Sequence, residues 1–355
     1  MSRNRAIALN QDMDRRTLLG MGAGIAAAGL FATRVGAQDA TPDATPASDN
    51  GLQADGTWKF TDSRGVTVTL DKLPERIVAD VNVAATLWDF GIVPVGVFGW
   101  NVVSDTEVAG KAGGELDMTK TTVVSAFGTD QVDIEKLTIA APDLIISLEF
   151  GAEYGIWSIN ADAVEAVEGL APIITLSGII RADEQLARTV DLAGALGVDL
   201  ESDELVAARE DYEAATDAFV EAVEGNPGLT AVFIATGEGA AWIANPDAAG
   251  DVWLYRDLGL GIPSVDVPAG EYWLAITEED LIDFDADILF SSERGTYITP
   301  ESMAAQPTYA LLGAVKAGQV SPWNQDVITS YRGLTEALTN TAAAVAAADP
   351  NVGSI

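Results

Sequence analysis

Apolar positions along the chain fall into short blocks whose period switches between two and about three and a half. From Trp58 to Leu70 they alternate with polar residues around Asp62-Ser-Arg-Gly65, the pattern of a hairpin. Residues 76–80 form a short apolar run behind Pro74 and predict a buried strand. Residues 84–90 have helical spacing and a closing Gly91, and 92–98 predict the next strand. Strand, helix and strand joined by such short links predict a parallel α/β sheet. Further helices are predicted over 134–140, 161–168, 183–196 and 202–224, and strands over 144–147 and 172–176. The helix over 202–224 is the longest, with Leu205, Ala208, Tyr212, Ala215, Phe219 and Val223 at spacings of three and four. It ends at Gly225-Asn-Pro-Gly228, and then the pattern restarts. A strand over 231–235, a helix over 253–258 closed by Gly259, a short helix over 310–316, a strand beginning at Gln319-Val320 and a last helix over 331–347 follow.

Two stretches on either side of the long helix read as copies. Glu135-Lys-Leu-Thr-Ile-Ala-Ala-Pro-Asp143-Leu-Ile-Ile-Ser147 aligns without a gap to Glu279-Asp-Leu-Ile-Asp-Phe-Asp-Ala-Asp287-Ile-Leu-Phe-Ser291. An internal repeat of this kind predicts two similar lobes. Two lobes imply a cleft, and a cleft implies a ligand. A single long helix between them is a stiff connector.

Composition narrows the functions open to such a molecule. The 355 residues are 48% hydrophobic and 21% charged, enough for two cored lobes. The net charge of −35 disfavours nucleic acid, which needs basic patches to neutralise phosphates. There is no Cys and no His. That excludes disulfides, thiol nucleophiles, Cys/His zinc sites and a Ser-His-Asp triad. It also makes direct capture of a bare transition metal unfavourable, since His is its commonest ligand.

The N-terminus reads as an address. Arg15 and Arg16 precede a small and apolar run from Leu18 to Ala32, shorter than the roughly 20 residues of a membrane span. Val35-Gly36-Ala37 offers the small residues of a cleavage site after Ala37. The paired arginines resemble a twin-arginine (Tat) signal, with an uncleaved anchor as the other possibility. Without Cys, no acylated N-terminal cysteine can anchor the product. Residues 38–56, rich in Pro, Thr, Asp and Ala, are expected to be a disordered linker. The expected divisions are a signal over 1–37, this linker, an N-terminal lobe over 57–200, the inter-lobe helix over 201–225, a C-terminal lobe over 226–347 and a flexible tail over 348–355.

The order of these motifs resembles a known family. The pieces are Thr61-Asp-Ser-Arg-Gly-Val-Thr-Val-Thr-Leu, Pro74-Glu-Arg-Ile-Val-Ala, Leu87-Trp-Asp-Phe-Gly-Ile-Val-Pro-Val-Gly-Val, the two repeat copies and Leu312-Gly-Ala-Val-Lys-Ala-Gly-Gln-Val. Together they are similar to the iron-siderophore and vitamin B12 class of periplasmic substrate-binding proteins of ABC importers. The resemblance implies two Rossmann-like lobes joined by one long rigid α-helix, the class III periplasmic-binding-protein fold. It also implies a non-enzymatic, monomeric carrier with no covalent cofactor, exported to the periplasm or cell exterior. Its ligand would be an iron chelate or a corrinoid or haem-like molecule. One glutamate on each lobe would dock onto the permease, and the family's two positions fall on Glu135 and Glu279.

Ligands of open α/β lobes meet the carboxyl ends of the strands. That rule selects Asp80, Asn82, Trp100, Asn101, Phe127, Glu149, Phe150, Tyr154 and Trp157 in the first lobe. In the second it selects Glu238, Trp242, Tyr272, Trp273, Arg294, Tyr297 and Trp323. Aromatic residues are only 7% of the chain yet recur here, which suits a large organic ligand. Arg294 is the one clear basic candidate and would pair with an anionic chelate. With so little positive charge beside it, a neutral or cationic chelate fits equally. Two other functions remain open. A secreted hydrolase would use Glu149 and Glu238 as a carboxylate pair about 5–9.5 Å apart. A cell-surface module that binds a partner protein would carry its aromatics outside.

Overall fold

The computed structural model describes residues 49–127 and 131–354. Arg15, Arg16 and Ala37 lie outside them. The N-terminal lobe is built on a five-stranded parallel sheet, in the order Ile173–Ser177, Leu144–Glu149, Ile77–Asp80, Gly96–Phe98, Thr122–Val123. A parallel sheet is covered on both faces, so its strands are apolar throughout instead of alternating. Successive residues here feed two different cores. Ile77, Ala79, Val97, Leu144, Ile146 and Ile174 join one cluster. Val78, Phe98, Ile145 and Ile173 join the other.

The C-terminal lobe repeats the scheme with an altered edge. Ala231–Gly237, Ile288–Ser292 and Val320–Trp323 run parallel. Beside them lie Ala240–Ala244 and Trp273–Thr277, each antiparallel to its neighbour. The sequence pattern did not predict these last two strands. The helix Asp203–Gly225 comes between the two sheets in the chain and lies along the C-terminal helix Tyr331–Ala347. It buries Leu205, Ala208, Ala215 and Phe219. Leu205 and Phe219 share a cluster with Phe90 and Leu186 of the first lobe and with Phe233 and Phe290 of the second. This is the class III periplasmic-binding-protein fold, two α/β lobes joined by one long helix. Among the described residues no helix is long and apolar enough to cross a membrane.

Local chemistry sets the element ends. The first lobe's opening helix is Val81–Asp89, starting three residues before the predicted 84. Its cap is Asp80, whose Oδ1 accepts from the Asn82 N–H at 3.0 Å. The repeat also acquires a physical meaning. Asp143, just before its strand, accepts the N–H groups of Glu75 and Arg76 at 2.8 Å, at the start of the neighbouring strand. Asp287 does the same for the Thr230 N–H at 2.9 Å. Ser147 donates to the Trp157 carbonyl, and Ser291 to the Tyr297 carbonyl, each at 2.8 Å. Each copy therefore aligns two parallel strands with its Asp and pins the loop beyond its strand with its Ser. The copies differ in their helices. Ile134–Ala140 is α-helical and capped by Asp133, whereas Glu279–Phe284 is a 3-10 helix without a side-chain cap.

Two ends depart from expectation. Order begins before residue 57, because Gly51–Leu52 pairs with Trp58–Lys59 and the Asn50 side chain donates to Asp191 at 2.8 Å. The last residues do not hang free. The Val352 and Gly353 N–H groups donate to Asp287 Oδ1 at 3.0 and 2.9 Å, and the Ser354 N–H to the Asp285 carbonyl at 2.7 Å.

Candidate functional site

A cavity of about 340 Å³ lies between the lobes. From the first lobe, Asp80 and Asn82 reach it at the end of the strand Ile77–Asp80, with Trp100 after the next strand. Phe150, Tyr154 and Trp157 follow the strand Leu144–Glu149. The Phe150 and Trp157 rings meet edge to face at 5.0 Å, and Tyr154 lies 6.4 Å from Trp157. The second lobe supplies an opposing aromatic wall. Tyr272 and Trp273 are 4.8 Å apart, and Trp323 stands behind Trp273 at 6.0 Å. Ten of the sixteen residues selected from the sequence therefore border one cavity: Asp80, Asn82, Trp100, Asn101, Phe150, Tyr154, Trp157, Tyr272, Trp273 and Arg294.

Six do not border it: Phe127, Glu149, Glu238, Trp242, Tyr297 and Trp323. Trp242 was expected beyond a strand end. Instead the chain turns at Glu238-Gly239 and Trp242 returns inside the sheet, with its ring over Gly237. A Cβ at Gly237 would come within 2.9 Å of that ring. Tyr297 packs into the second lobe's core, 5.5 Å from Tyr309. Phe127 is exposed, with the Lys136 ammonium 4.2 Å from its ring centre. The carboxylate pair of the hydrolase reading is not assembled either. Glu149 accepts the Gly151 N–H at 2.9 Å, Glu238 is exposed in the hairpin turn, and neither lines the cavity.

The lobes touch around Arg294. Its guanidinium lies 3.7 Å from the Trp100 ring centre, a cation–π contact across the cleft. On its own lobe it is paired with Asp326 through Nε and Nη2. Burial pulls the Arg294 pKa down to about 9, against the pull of Tyr272 and Asp80, so it stays protonated at neutral pH. The Asn82 side chain donates to the Asp326 carbonyl at 3.2 Å, a second link between lobes.

Two further carboxylates border the cavity. Asp80 is 1% exposed. Burial pushes its carboxyl up to about 7, partly opposed by the Asn82 and Val83 N–H groups. Asp251, in the first turn of the helix Gly250–Asp257, accepts from the Trp323 indole at 2.7 Å. Burial pushes it up to about 6 against that hydrogen bond. Asp251 and Asp326 were not singled out in the sequence. Asp326 obeys the strand-end rule, lying just beyond Val320–Trp323, and could have been found that way. Asp251 is held at the cavity by a helix terminus and leaves no such signal.

Solved structures place the chain. DesE, a ferric-siderophore receptor protein from Streptomyces coelicolor, is 28% identical, with a TM-score of 0.76 over 83% of this chain and all of that one. PiaA, an iron uptake ABC transporter substrate-binding protein from Streptococcus pneumoniae, is 21% identical, with a TM-score of 0.53 over 81% of this chain and 99% of its own. The siderophore binding protein FhuD from Vibrio cholerae, solved with Fe3+-Desferal, is 14% identical, with a TM-score of 0.56 over 76% and 98%. No protein-family description and no curated protein sequence matches the chain. Fold and cleft define the class, the bilobal fold of periplasmic substrate-binding proteins. Its solved structural neighbours within that class include siderophore-binding and iron-uptake substrate-binding proteins of ABC transporters.

Proposed function

We propose that this protein is the extracytoplasmic carrier of an ABC importer, and that it holds a ferric siderophore-type chelate between its lobes. The observation that carries the reading is the cavity of about 340 Å³ with aromatic walls on both lobes. Small-molecule sites typically enclose some 300–1,000 Å³ and are lined by apolar and aromatic groups with a few placed polar ones. A corrinoid is the second ligand class to test against it. The export signal with Arg15 and Arg16, cleavage after Ala37, action as a monomer and docking of Glu135 and Glu279 on a permease belong to the same reading. Glu135 and Glu279 are both exposed, which supports the last of these.

The test is direct binding. Trp100, Trp157 and Trp273 border the cavity, so an iron chelate should quench their fluorescence on binding. Saturation at a hundred times Kd stabilises a protein by about 2.7 kcal/mol. That should raise Tm by about 4 °C for a chain of this size. If ferric hydroxamates, catecholates and citrate and a corrinoid all leave fluorescence and Tm unchanged, the carrier reading is wrong.

A further inference from the structure

The charges lining the cavity are unbalanced. Asp80, Asp251 and Asp326 face it, against the single guanidinium of Arg294. That guanidinium is already engaged, with its Nε and Nη2 edge on Asp326 and its plane over Trp100. An anionic chelate entering the cavity would meet two carboxylates, Asp80 and Asp251, with no uncommitted basic side chain among the lining residues to answer it. Between low-dielectric aromatic walls such repulsion is screened far less than at a surface.

Asp80 adds a second observation. Its Oδ1 caps the helix Val81–Asp89, and its Oδ2 is buried with only the Ser158 hydroxyl close enough to favour the charged form. Buried polar atoms are almost always satisfied, so a buried carboxylate on a cavity wall with so few donors of its own can take a further one from a ligand. An amide or ammonium hydrogen satisfies an ionised carboxylate there. A carboxylate or catecholate oxygen does not.

Building on the carrier reading, we propose that the cleft selects its chelate by charge. It accepts ferric chelates of zero or positive net charge and rejects anionic ones, and Asp80 and Asp251 set that selection. The experiment uses three probes at pH 8, above the values at which burial holds both carboxyls. They are a ferric trishydroxamate with a free ammonium, the same chelate with its amine acetylated, and an anionic ferric triscatecholate. Like charges brought together in a binding site cost several kcal/mol. The protein should therefore bind either trishydroxamate at least about a hundredfold more tightly than the triscatecholate.

In Asp80→Asn/Asp251→Asn that gap should close by about tenfold or more. Asparagine still caps the helix at position 80 and still offers the Trp323 indole an acceptor at 251. The single Asp80→Asn variant carries the test alone if the double variant does not fold. The proposal fails if the natural protein binds the triscatecholate as tightly as the trishydroxamates, or if the substitutions leave the ratio unchanged. In both of those cases the carrier reading stands. If none of the three probes binds, the inference falls, and the carrier reading is then decided by the citrate and corrinoid arms of the binding test.

Discussion

Asp80 and Asp287 carry the same carboxyl group and answer folding in opposite directions. Burial leads at both. At Asp287 it is outweighed by hydrogen bonds from Gly353, Thr230 and Val352, which hold that carboxyl below its usual range. A depressed pKa contributes stability above the unfolded value near 3.8 and loses it as pH falls through the folded value. Asp80 does the reverse. Its folded value of about 7 lies above the unfolded 3.8, so between those values the folded state binds more protons. Its favourable contribution is complete below about pH 4 and is lost as pH rises towards 7. Replacing Asp80 by Asn, which keeps the helix cap, removes that dependence. Thermal unfolding of Asp80→Asn and the natural protein at pH 5 and pH 8 should show the variant gaining relative stability at the higher pH. The gain should be at least about 1 kcal/mol, or at least about 1.5 °C in Tm. An equal difference at both pH values would mean that Asp80 ionises freely.

At the scale of elements, periodicity made most of the fold legible. The helices Ile134–Ala140 and Tyr331–Ala347 begin and end where the pattern puts them, because each has a side-chain cap at its start and an apolar face facing a core. The strands Ala240–Ala244 and Trp273–Thr277 were hidden for a physical reason. Reading an uninterrupted βα repeat assumes that a crossover follows each strand, and here Glu238-Gly239 turns the chain straight back as a hairpin. The same hairpin took Trp242 away from the cavity. Cavity charges were harder to read than aromatics, since Asp251 needs a three-dimensional neighbour, Trp323, to explain its place. The repeated Asp allows a comparison between lobes. Asp287 is 4% exposed and accepts four hydrogen bonds, from the Thr230 N–H and hydroxyl and from the Val352 and Gly353 N–H groups. Asp143 is less buried and holds the Glu75 and Arg76 N–H groups. Bonds to charged groups contribute about 1.5–3 kcal/mol each and do not add, and stranding buried N–H groups makes the loss worse. Asp287→Ala should therefore cost about 3–4 kcal/mol and Asp143→Ala about 1–2 in chemical denaturation. Equal costs would mean that the two clasps are not set apart by burial.

At the scale of the whole molecule, the repeat relates the two lobes and also suggests how they meet a membrane partner. In each copy a short helix feeds a parallel strand, so it runs back against that strand and its N-terminus lies near the sheet's carboxyl edge. That edge is the side on which the cleft opens. Glu135 and Glu279 each sit in the first turn of such a helix, exposed, and neither forms an ion pair among the described residues. On the carrier reading proposed above, an unpaired glutamate on each lobe offers a permease one anionic contact per lobe. Exposed charges of this kind add little to folding. Changing both to alanine should therefore leave Tm within about 1–2 °C and chelate affinity unchanged. Uptake of radiolabelled ferric chelate by cells carrying Glu135→Ala/Glu279→Ala in place of the natural protein should fall at least tenfold, since interfacial charge pairs can couple by about 1.5 kcal/mol or more each. Each single change should give a smaller loss, and Asp at both positions a partial recovery. Undiminished uptake in the double variant, with binding intact, would place the docking surface elsewhere on the lobes. The repeat glutamates would then serve only the termini of their own short helices.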